Sequence, residues 1–189
     1  GIDSSEGALE GSRGWGSCQV GDSIKESKIL AQSIVKSLSE NRPSSIAGVF
    51  AYNNSVYSFG RPQALSNTRY TKSILGPEGI GAIPVCGTAY QVNAIQKASE
   101  IMGDSPGNII LVTDGTVPPD GGIYAPGDQE RVSSAITDPL YRENAVEEAS
   151  ELGSDVDLSV VAVGDHSGNE EFLENLADAG GGEFYSSKE

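Results

Sequence analysis

The segment Asn108-Ile-Ile-Leu-Val-Thr-Asp-Gly115 decides how the rest of the sequence is interpreted. Its first six residues form a nearly continuous apolar run, which is typical of a strand covered on both faces of a sheet. Asp114 and Gly115 follow at once, so a carboxylate stands where this strand ends. Leu158 to Val163 (LSVVAV) is a second run of the same kind. Two such strands with a helical pattern between them predict a parallel sheet.

The segments around these two strands alternate between helical and strand patterns. The first helix is predicted from Ser23 to Leu38, with Ser23 and Glu26 at capping-box spacing. Ile46 to Tyr52 is predicted as a buried strand and Val56 to Phe59 as its hairpin partner. Further helices are predicted around Val92 to Met102, Ala145 to Leu152 and Phe172 to Ala177, and a short last strand at Glu183 to Tyr185. This alternation predicts an open, mostly parallel sheet with helices on both sides.

The length and the charge of the chain limit its possible functions. Its 189 residues fit a single domain over residues 1–189. Twelve basic against 27 acidic residues give a net charge of −15, which would repel a phosphate backbone, so nucleic-acid binding is not expected. The acidity is compatible with cation binding, but solubility or adaptation to salt gives the same composition. No apolar run approaches the ~20 residues that cross a bilayer, so no direct membrane span is expected.

Three polar segments are expected at one edge of the predicted sheet. They are Asp3-Ser4-Ser5-Glu6-Gly7 after the short start Gly1-Ile2, Cys86-Gly87-Thr88 before the second helix, and Asp114-Gly115. In open α/β sheets, ligands bind at the carboxyl ends of the strands. Two carboxylates and several hydroxyls gathered there would suit a hard cation such as Mg²⁺, Mn²⁺ or Ca²⁺. Because hydroxyl ligands are neutral, the ion could take a carboxylate from a partner as a further ligand.

The order of these motifs resembles the metal-ion-dependent adhesion site of von Willebrand factor A domains. The shared pattern is D-x-S, then G-T before a helix, then T-D-G after a strand. The segment from Val163 to Tyr185 is similar to the family's closing strand–helix–strand unit, so the likeness covers nearly the whole chain. The resemblance implies a Rossmann-like three-layer α/β/α sandwich. Its central sheet would be mostly parallel with one antiparallel edge strand, here Val56 to Phe59.

The resemblance also implies a set of metal ligands. Asp3 and Ser5 match the first two positions of the family's D-x-S-x-S loop, Thr88 matches its threonine, and Asp114 matches its second aspartate. The neighbours of these implied ligands are Glu6, Gly7, Gly87 and Gly115.

The third position of the first loop departs from the family pattern. Gly7 stands there instead of the usual serine, so one direct hydroxyl ligand is lost. The ion could then bind more weakly, take an extra water or recruit Glu6. The alternative is a domain that keeps the fold and binds no metal, with its polar side chains hydrogen-bonded to one another.

The start of the chain is a second departure. The family's first strand is the central one of the sheet and should lie immediately before Asp3, where only Gly1 and Ile2 stand. A sheet without its middle strand would expose two edges of unpaired backbone groups. Two explanations stay open: the sequence continues upstream, or another chain supplies the strand, which would make the protein a subunit of a polymer.

Cys18 and Cys86 are the two cysteines of the chain. In the fold that the resemblance implies, their loops meet beside the metal. A Cys18–Cys86 disulfide is therefore one expectation, and it would indicate an oxidising, extracytoplasmic setting. The other is a pair of free thiols, with Cys86 buried as a small apolar residue. Two cysteines and one histidine do not supply a convincing zinc ligand set.

Catalysis has little support in the sequence, and an enzyme is not expected. His166 lies in the polar loop Asp165-His166-Ser167-Gly168 and is predicted to be solvated. No serine is therefore expected to have a general base beside it that would make it a nucleophile. Gly79-Ile80-Gly81 does not follow a strand in the way a dinucleotide-binding motif requires. The remaining enzymatic alternative is a metal-dependent hydrolase with Asp3 as base or nucleophile. It lacks the second aspartate that such phosphotransfer loops usually add nearby.

Two long loops would give the predicted site its specificity. Trp15 lies in the loop Glu6 to Gly21, and Tyr124 lies in the loop Val117 to Asp128. Two alternatives stay open for each aromatic side chain: it contacts a ligand, or it holds its own loop in place. The main hypothesis is a divalent-metal-dependent protein-binding or adhesion module, at the cell surface or outside the cell. An Asp or Glu of a protein ligand would complete its metal shell. The alternative is a structural or assembly subunit of a surface polymer, which contacts neighbouring copies or chains and has an incidental or degenerate metal site.

Overall fold

The computed structural model describes residues 22–52, 56–83, 90–116 and 138–187. From residue 91 to residue 186 helices and strands alternate, as the sequence predicted, whereas four short strands follow one another after the first helix. The first half contains α1 (Asp22–Asn41), β1 (Ile46–Ala47), β2 (Phe50–Tyr52), β3 (Val56–Ser58), β4 (Gln63–Ala64), α2 (Thr68–Leu75) and a single 3₁₀ turn (Ile80–Ala82). The second half contains α3 (Gln91–Met102), β5 (Gly107–Thr113), α4 (Asp138–Ser150), β6 (Val156–Ala162), α5 (Glu170–Ala179) and β7 (Gly181–Ser186).

The long strands of the second half form a parallel sheet in the order β5–β6–β7. β5 pairs with β6 along its whole length, from Gly107 opposite Val156 to Thr113 opposite Ala162. The two apolar runs of the sequence are therefore confirmed as neighbouring parallel strands. The predicted last strand is also confirmed, and it is longer than Glu183 to Tyr185.

One face of this sheet carries the main apolar core. Alternate residues of the strands point into it and pack against α3, α4 and α5, as the spacing of apolar residues in these helices predicted. The core includes Ile109 and Leu111 of β5, Leu158, Val160 and Ala162 of β6, Ile95 of α3, Tyr141, Ala145 and Ala149 of α4, and Phe172, Leu173 and Leu176 of α5.

The opposite face of the sheet is only partly covered. Ile110 of β5 is 43% exposed and Tyr185 of β7 is 50% exposed, while Val112 is half-buried. The sequence predicted a strand covered on both faces, and this expectation is wrong for β5. Burial alternates along the strand because the core lies on one side of it.

A second, smaller core lies among the residues before β5. Val35 of α1 packs there with Tyr70 and Ile74 of α2 and with Ile80 of the 3₁₀ turn. The sequence pattern did not predict α2, which has only 8 residues. Its start is capped by Asn67, whose side-chain oxygen accepts a hydrogen bond from the Tyr70 N–H (3.2 Å).

The predicted strand Ile46 to Tyr52 is divided into two in the structure. β1 pairs antiparallel with β4, and β2 pairs antiparallel with β3. The predicted hairpin is confirmed, with Tyr52 opposite Val56. Helix α3 contacts β2, β3 and β5, so one helix lies against both the hairpin and the parallel sheet.

These elements confirm an α/β fold of the Rossmann-like type. The first helix is longer than predicted at both ends. Glu26, predicted as part of a capping box, accepts a hydrogen bond from the Gly164 N–H (3.0 Å) beyond the end of β6. Among the helices in the described ranges, none combines the length and the apolar character that crossing a bilayer requires.

Candidate functional site

Asp114 follows the last residue of β5 and forms a tight turn with Thr116. Its Oδ1 atom accepts hydrogen bonds from the Thr116 N–H (3.1 Å) and from the Thr116 hydroxyl (2.7 Å). The Gly115 N–H donates to Thr113 Oγ1 (3.1 Å). Local hydrogen bonds of this kind hold a turn in one conformation. The half-buried carboxylate of Asp114 is therefore fixed at the carboxyl end of β5, where the sequence predicted it.

Gly115 brings this turn close to α5. Its φ angle is +73°, a left-handed conformation that favours glycine. A Cβ atom at this position would lie 2.8 Å from Asn169 Cβ and 3.0 Å from Leu173 Cδ1. Gly115, predicted as a neighbour of the metal site, thus serves the packing of the turn against the last helix.

Buried polar side chains tie the start of α3 to the same turn. Gln91 Nε2 donates to the Thr116 carbonyl oxygen (2.8 Å), and the Tyr141 hydroxyl donates to Gln91 Oε1 (3.1 Å). The Val92 N–H donates to the Tyr141 hydroxyl (3.4 Å). Gln91 and Tyr141 are both 0% exposed. Neither residue was predicted from the sequence as part of the site. The one hint in the sequence is that Gln91 begins a helix soon after the polar segment with Thr88.

Two tyrosine hydroxyls are withdrawn from water beside the end of β5. The Tyr52 hydroxyl lies 3.5 Å from the Val112 carbonyl oxygen. Burial raises the pKa of Tyr52 above its ordinary value of 10.0, and the charge of Asp114 adds to this increase, while a hydrogen bond with Thr113 opposes it. Burial likewise raises the pKa of Tyr141. Both phenols therefore remain neutral hydrogen-bonding groups at physiological pH.

Asp114 is the only predicted metal ligand within the described ranges. The other implied ligands and their neighbours, the two aromatic rim residues and the two cysteines lie outside them: Asp3, Ser5, Glu6, Gly7, Trp15, Cys18, Cys86, Gly87, Thr88 and Tyr124. Among the residues that are described, no three His, Cys, Asp or Glu side chains are grouped so that they could hold a metal. Asp114 suits the role of a metal ligand through one oxygen, Oδ2, because its hydrogen bonds with Thr116 use Oδ1. The rest of the ligand set, and the disulfide, stay predictions.

His166 is buried, and the prediction that it is solvated is wrong. The residue is 3% exposed. Its Nδ1 atom lies 3.0 Å from the Gly164 carbonyl oxygen and its Nε2 atom 3.1 Å from Ser186 Oγ. Its ring also meets Phe184 edge-on, with the ring centroids 6.4 Å apart. The loop is polar, but the two ring nitrogens find protein partners, so the imidazole links the end of β6 to β7.

Comparisons with known proteins identify the fold but no family. No family model matches the chain, and no curated protein matches it in sequence. Among solved structures, the PilB minor pilin from Streptococcus sanguinis is 14% identical. That match covers 88% of this chain and 50% of the pilin chain, with a TM-score of 0.64. The chain thus spans half of the pilin's length.

Two bacterial proteins give further structural matches. BatB from Bacteroides thetaiotaomicron, described as a conserved hypothetical protein, is 17% identical over 86% of this chain and 78% of that chain, with a TM-score of 0.50. An aerotolerance-related membrane protein from Bacteroides fragilis is 17% identical over 84% and 80% of the two chains, again with a TM-score of 0.50. These neighbours have von Willebrand factor A-like folds. The likeness shows the fold, and the implied adhesion site stays a prediction.

Proposed function

We propose that this chain is a protein-binding subunit of a surface-associated assembly and acts through contacts rather than through catalysis. The observation that carries the proposal is the fold shared, over 88% of this chain, with a protein described as a minor pilin. A further protein with this fold is described as a membrane protein. Because the same fold serves many functions, the local chemistry of the chain has to support the proposal as well.

The polar groups at the end of β5 favour a binding surface over an active site. Asp114 is hydrogen-bonded to Thr116, and Gln91 is bonded to both the Thr116 carbonyl and Tyr141. These hydrogen bonds hold the turn after β5 in one shape. His166 has protein oxygens within hydrogen-bond distance of both ring nitrogens, so it is poorly placed to take a proton from a substrate.

The charge of the chain indicates which partner surface it would bind best. A net charge of −15 attracts a basic surface at long range and raises the rate of encounter with it. The attraction is screened over about 8 Å at physiological salt, so it should weaken as the salt concentration rises. The proposed partner is thus a protein with a basic surface in the same assembly.

In intact cells of the source organism, we expect added protease to digest this protein and a short amine-reactive cross-linker to join it to discrete partners. More salt during cross-linking should reduce the yield of these adducts. Mass spectrometry of the adducts identifies the partners. The control is a cytoplasmic protein of the same cells, which should stay intact until lysis. Protection of the protein until lysis, together with the absence of discrete adducts, would contradict the proposed function.

A metal-dependent form of this binding is the second candidate, and the position of Asp114 favours it. Here a divalent cation (Mg²⁺, Mn²⁺ or Ca²⁺) would supply a positive centre for an Asp or Glu of the partner. Asp114 would be one ligand, through the carboxylate oxygen that does not bond to Thr116. Asp3, Ser5 and Thr88 are the proposed fellow ligands.

Replacing Asp114 by asparagine should weaken divalent-cation binding by at least roughly 10- to 100-fold, which is the loss typical even of a residue that only orients a metal ligand. Calorimetric titration measures this affinity. Asparagine keeps a side-chain oxygen for the two hydrogen bonds from Thr116 but removes the charge that a hard cation needs. The matched control is Asp104→Asn, in the exposed turn before β5, which should bind as the parent protein does. Titration without heat in the parent protein, or equal affinity in Asp114→Asn, would exclude this second candidate.

A further inference from the structure

An open groove lies between α4 and α5. Its volume is about 680 Å³, and its apolar lining residues are Val146 of α4 and Phe172 of α5. Both helices pack on the same face of the parallel sheet, so they lie side by side with the groove between them. The lining on α4 extends from Arg142 to Ser150, which at 1.5 Å per residue is a length of about 12 Å, or two helical turns.

Carboxylates border the apolar lining on both sides of the groove. Glu143 and Glu147 lie on the α4 side and Glu171 on the α5 side, and all three residues are exposed. Within the described ranges, no Lys or Arg side chain forms an ion pair with any of them. The groove therefore presents negative charge beside an apolar surface, which is the complement of a surface that is both basic and apolar.

Arg142 is the one basic residue of the lining, and it is engaged within the protein. Its guanidinium donates to Asn169 Oδ1 (2.7 Å) and lies 5.0 Å from the centroid of the Phe172 ring. These contacts hold the guanidinium near the first turns of the two helices. Three carboxylates and one guanidinium leave the lining of the groove negatively charged.

The two carboxylates on α4 weaken the helix that carries them. Glu143 and Glu147 are four residues apart, and like charges at this spacing destabilise a helix. Glu147 also lies in the last turn of α4, which contains no basic residue, and there it stands at the negative end of the helix dipole. Because neither position serves the stability of α4, a cationic group that binds from outside the chain explains them better.

We propose that the groove binds an amphipathic helix of a neighbouring subunit, with Lys or Arg on both sides of a narrow apolar stripe. The stripe would pack on Val146 and Phe172, as helices dock in apolar grooves of other proteins. The basic side chains would reach Glu143 and Glu147 on one side and Glu171 on the other. About two turns of the partner helix would lie in the groove. This inference rests on the proposed function and assigns the basic partner to one surface of the chain.

The first test uses a fluorescent helical peptide of about 15 residues. It is built on alanine, with leucine along one stripe of the helix and lysine on both sides of that stripe. We expect the full chain to bind it, as measured by fluorescence anisotropy. A second peptide keeps every lysine and has glutamine in place of leucine, so it has the same charge and no apolar stripe. It should bind about tenfold more weakly, or not at all.

Two double variants of equal net charge separate the groove from the general acidity of the chain. Glu143→Gln/Glu147→Gln removes two charges from the groove. Glu40→Gln/Glu174→Gln removes two charges from exposed positions on α1 and α5 outside its lining. The groove variant should bind the first peptide about threefold to tenfold more weakly than the parent chain, and the control variant should stay within about twofold. Because the groove variant also loses like-charge repulsion along α4, it should unfold at no lower urea concentration than the parent, so weaker binding cannot come from unfolding.

Three results would overturn the groove as a docking site: no binding of the first peptide, equal loss of binding in the two double variants, or equal binding of the two peptides. Oligomers of the parent chain that disappear in the groove variant would overturn the basic partner, because a second copy of this chain would then be the occupant. Analytical ultracentrifugation measures that outcome.

Cross-linking in cells distinguishes a failure of this inference from a failure of the proposed function. If discrete partners are joined equally to the parent chain and to the groove variant, the groove is wrong and the proposed function stands. If the first peptide binds but the protein is protected inside cells without partners, the proposed function is wrong, and a neighbouring subunit is not the occupant of the groove.

Discussion

Replacing Gly182 by alanine should lower the free energy of unfolding by about 3 kcal/mol. Gly182 lies on β7, where a Cβ atom would come within 2.3 Å of the Leu158 carbonyl oxygen and 2.7 Å of the Ser159 nitrogen. These are backbone atoms of β6 and cannot rotate away as a side chain can. The alanine therefore has to push β7 off β6.

The local register explains why β7 approaches so closely here. Leu158 pairs with Gly181 and Val160 with Phe184, so β7 takes three steps where β6 takes two. Such a bulge bends the strand and is a common place for glycine. β7 also carries the hydroxyl of Ser186 that contacts His166, so separation of the strands would loosen the end of β6 as well.

Gly168→Ala is the matched control for this substitution. A Cβ atom there meets nothing within 4 Å, and the change should alter stability by less than about 0.5 kcal/mol. Urea unfolding followed by circular dichroism measures both variants against the parent chain. If Gly182→Ala unfolds at the same urea concentration as Gly168→Ala, β7 does not lie against β6 as described.

The regular part of the fold could be predicted from the sequence because periodic apolar patterns are local information. NIILVT and LSVVAV predicted β5 and β6, and the helix between Gln91 and Met102 was predicted to within a residue. Shorter elements were harder to predict. α2 has too few residues for a clear period, and the division of Ile46 to Tyr52 depends on a partner strand, Gln63–Ala64, that no sequence pattern identified.

Only one part of the candidate site could be predicted from the sequence, namely Asp114 at the end of β5. Asp114 follows an apolar run, and its place at the end of β5 follows from that pattern. Gln91 and Tyr141 are 50 residues apart in sequence, and no local pattern shows that they share a hydrogen bond. The same holds for His166, whose burial depends on Ser186 and Phe184 of the next strand. The exposure of Ile110 is likewise a property of the packed sheet.

Stability should fall steeply above pH 10 because two phenols that are shielded from water ionise less readily in the folded chain than in the unfolded chain. Burial raises the pKa of Tyr141 and of Tyr52 above the ordinary value of 10.0. Below pH 10 both groups are protonated in the folded and the unfolded chain, so their contribution to stability is fully present. Above it the unfolded chain loses these protons and the folded chain keeps them. Each such tyrosine then costs about 1.4 kcal/mol per pH unit until its own folded pKa is reached.

Tyr141→Phe isolates one of these two contributions. The variant should be about 1–3 kcal/mol less stable at neutral pH, because Gln91 Oε1 and the Val92 N–H lose their shared partner. Its stability should nevertheless fall less steeply above pH 10 than that of the parent chain, since one raised pKa has been removed. Tyr57→Phe, at a hairpin residue that is 42% exposed, is the control for the loss of a tyrosine hydroxyl and should keep the parent stability at neutral pH. Urea unfolding at several alkaline pH values measures the slopes, and the ultraviolet absorbance of tyrosinate shows when each phenol ionises.

If Tyr141→Phe keeps the full slope, the Tyr141 hydroxyl ionises in the folded chain, and water reaches the network that joins α3 to the turn after β5.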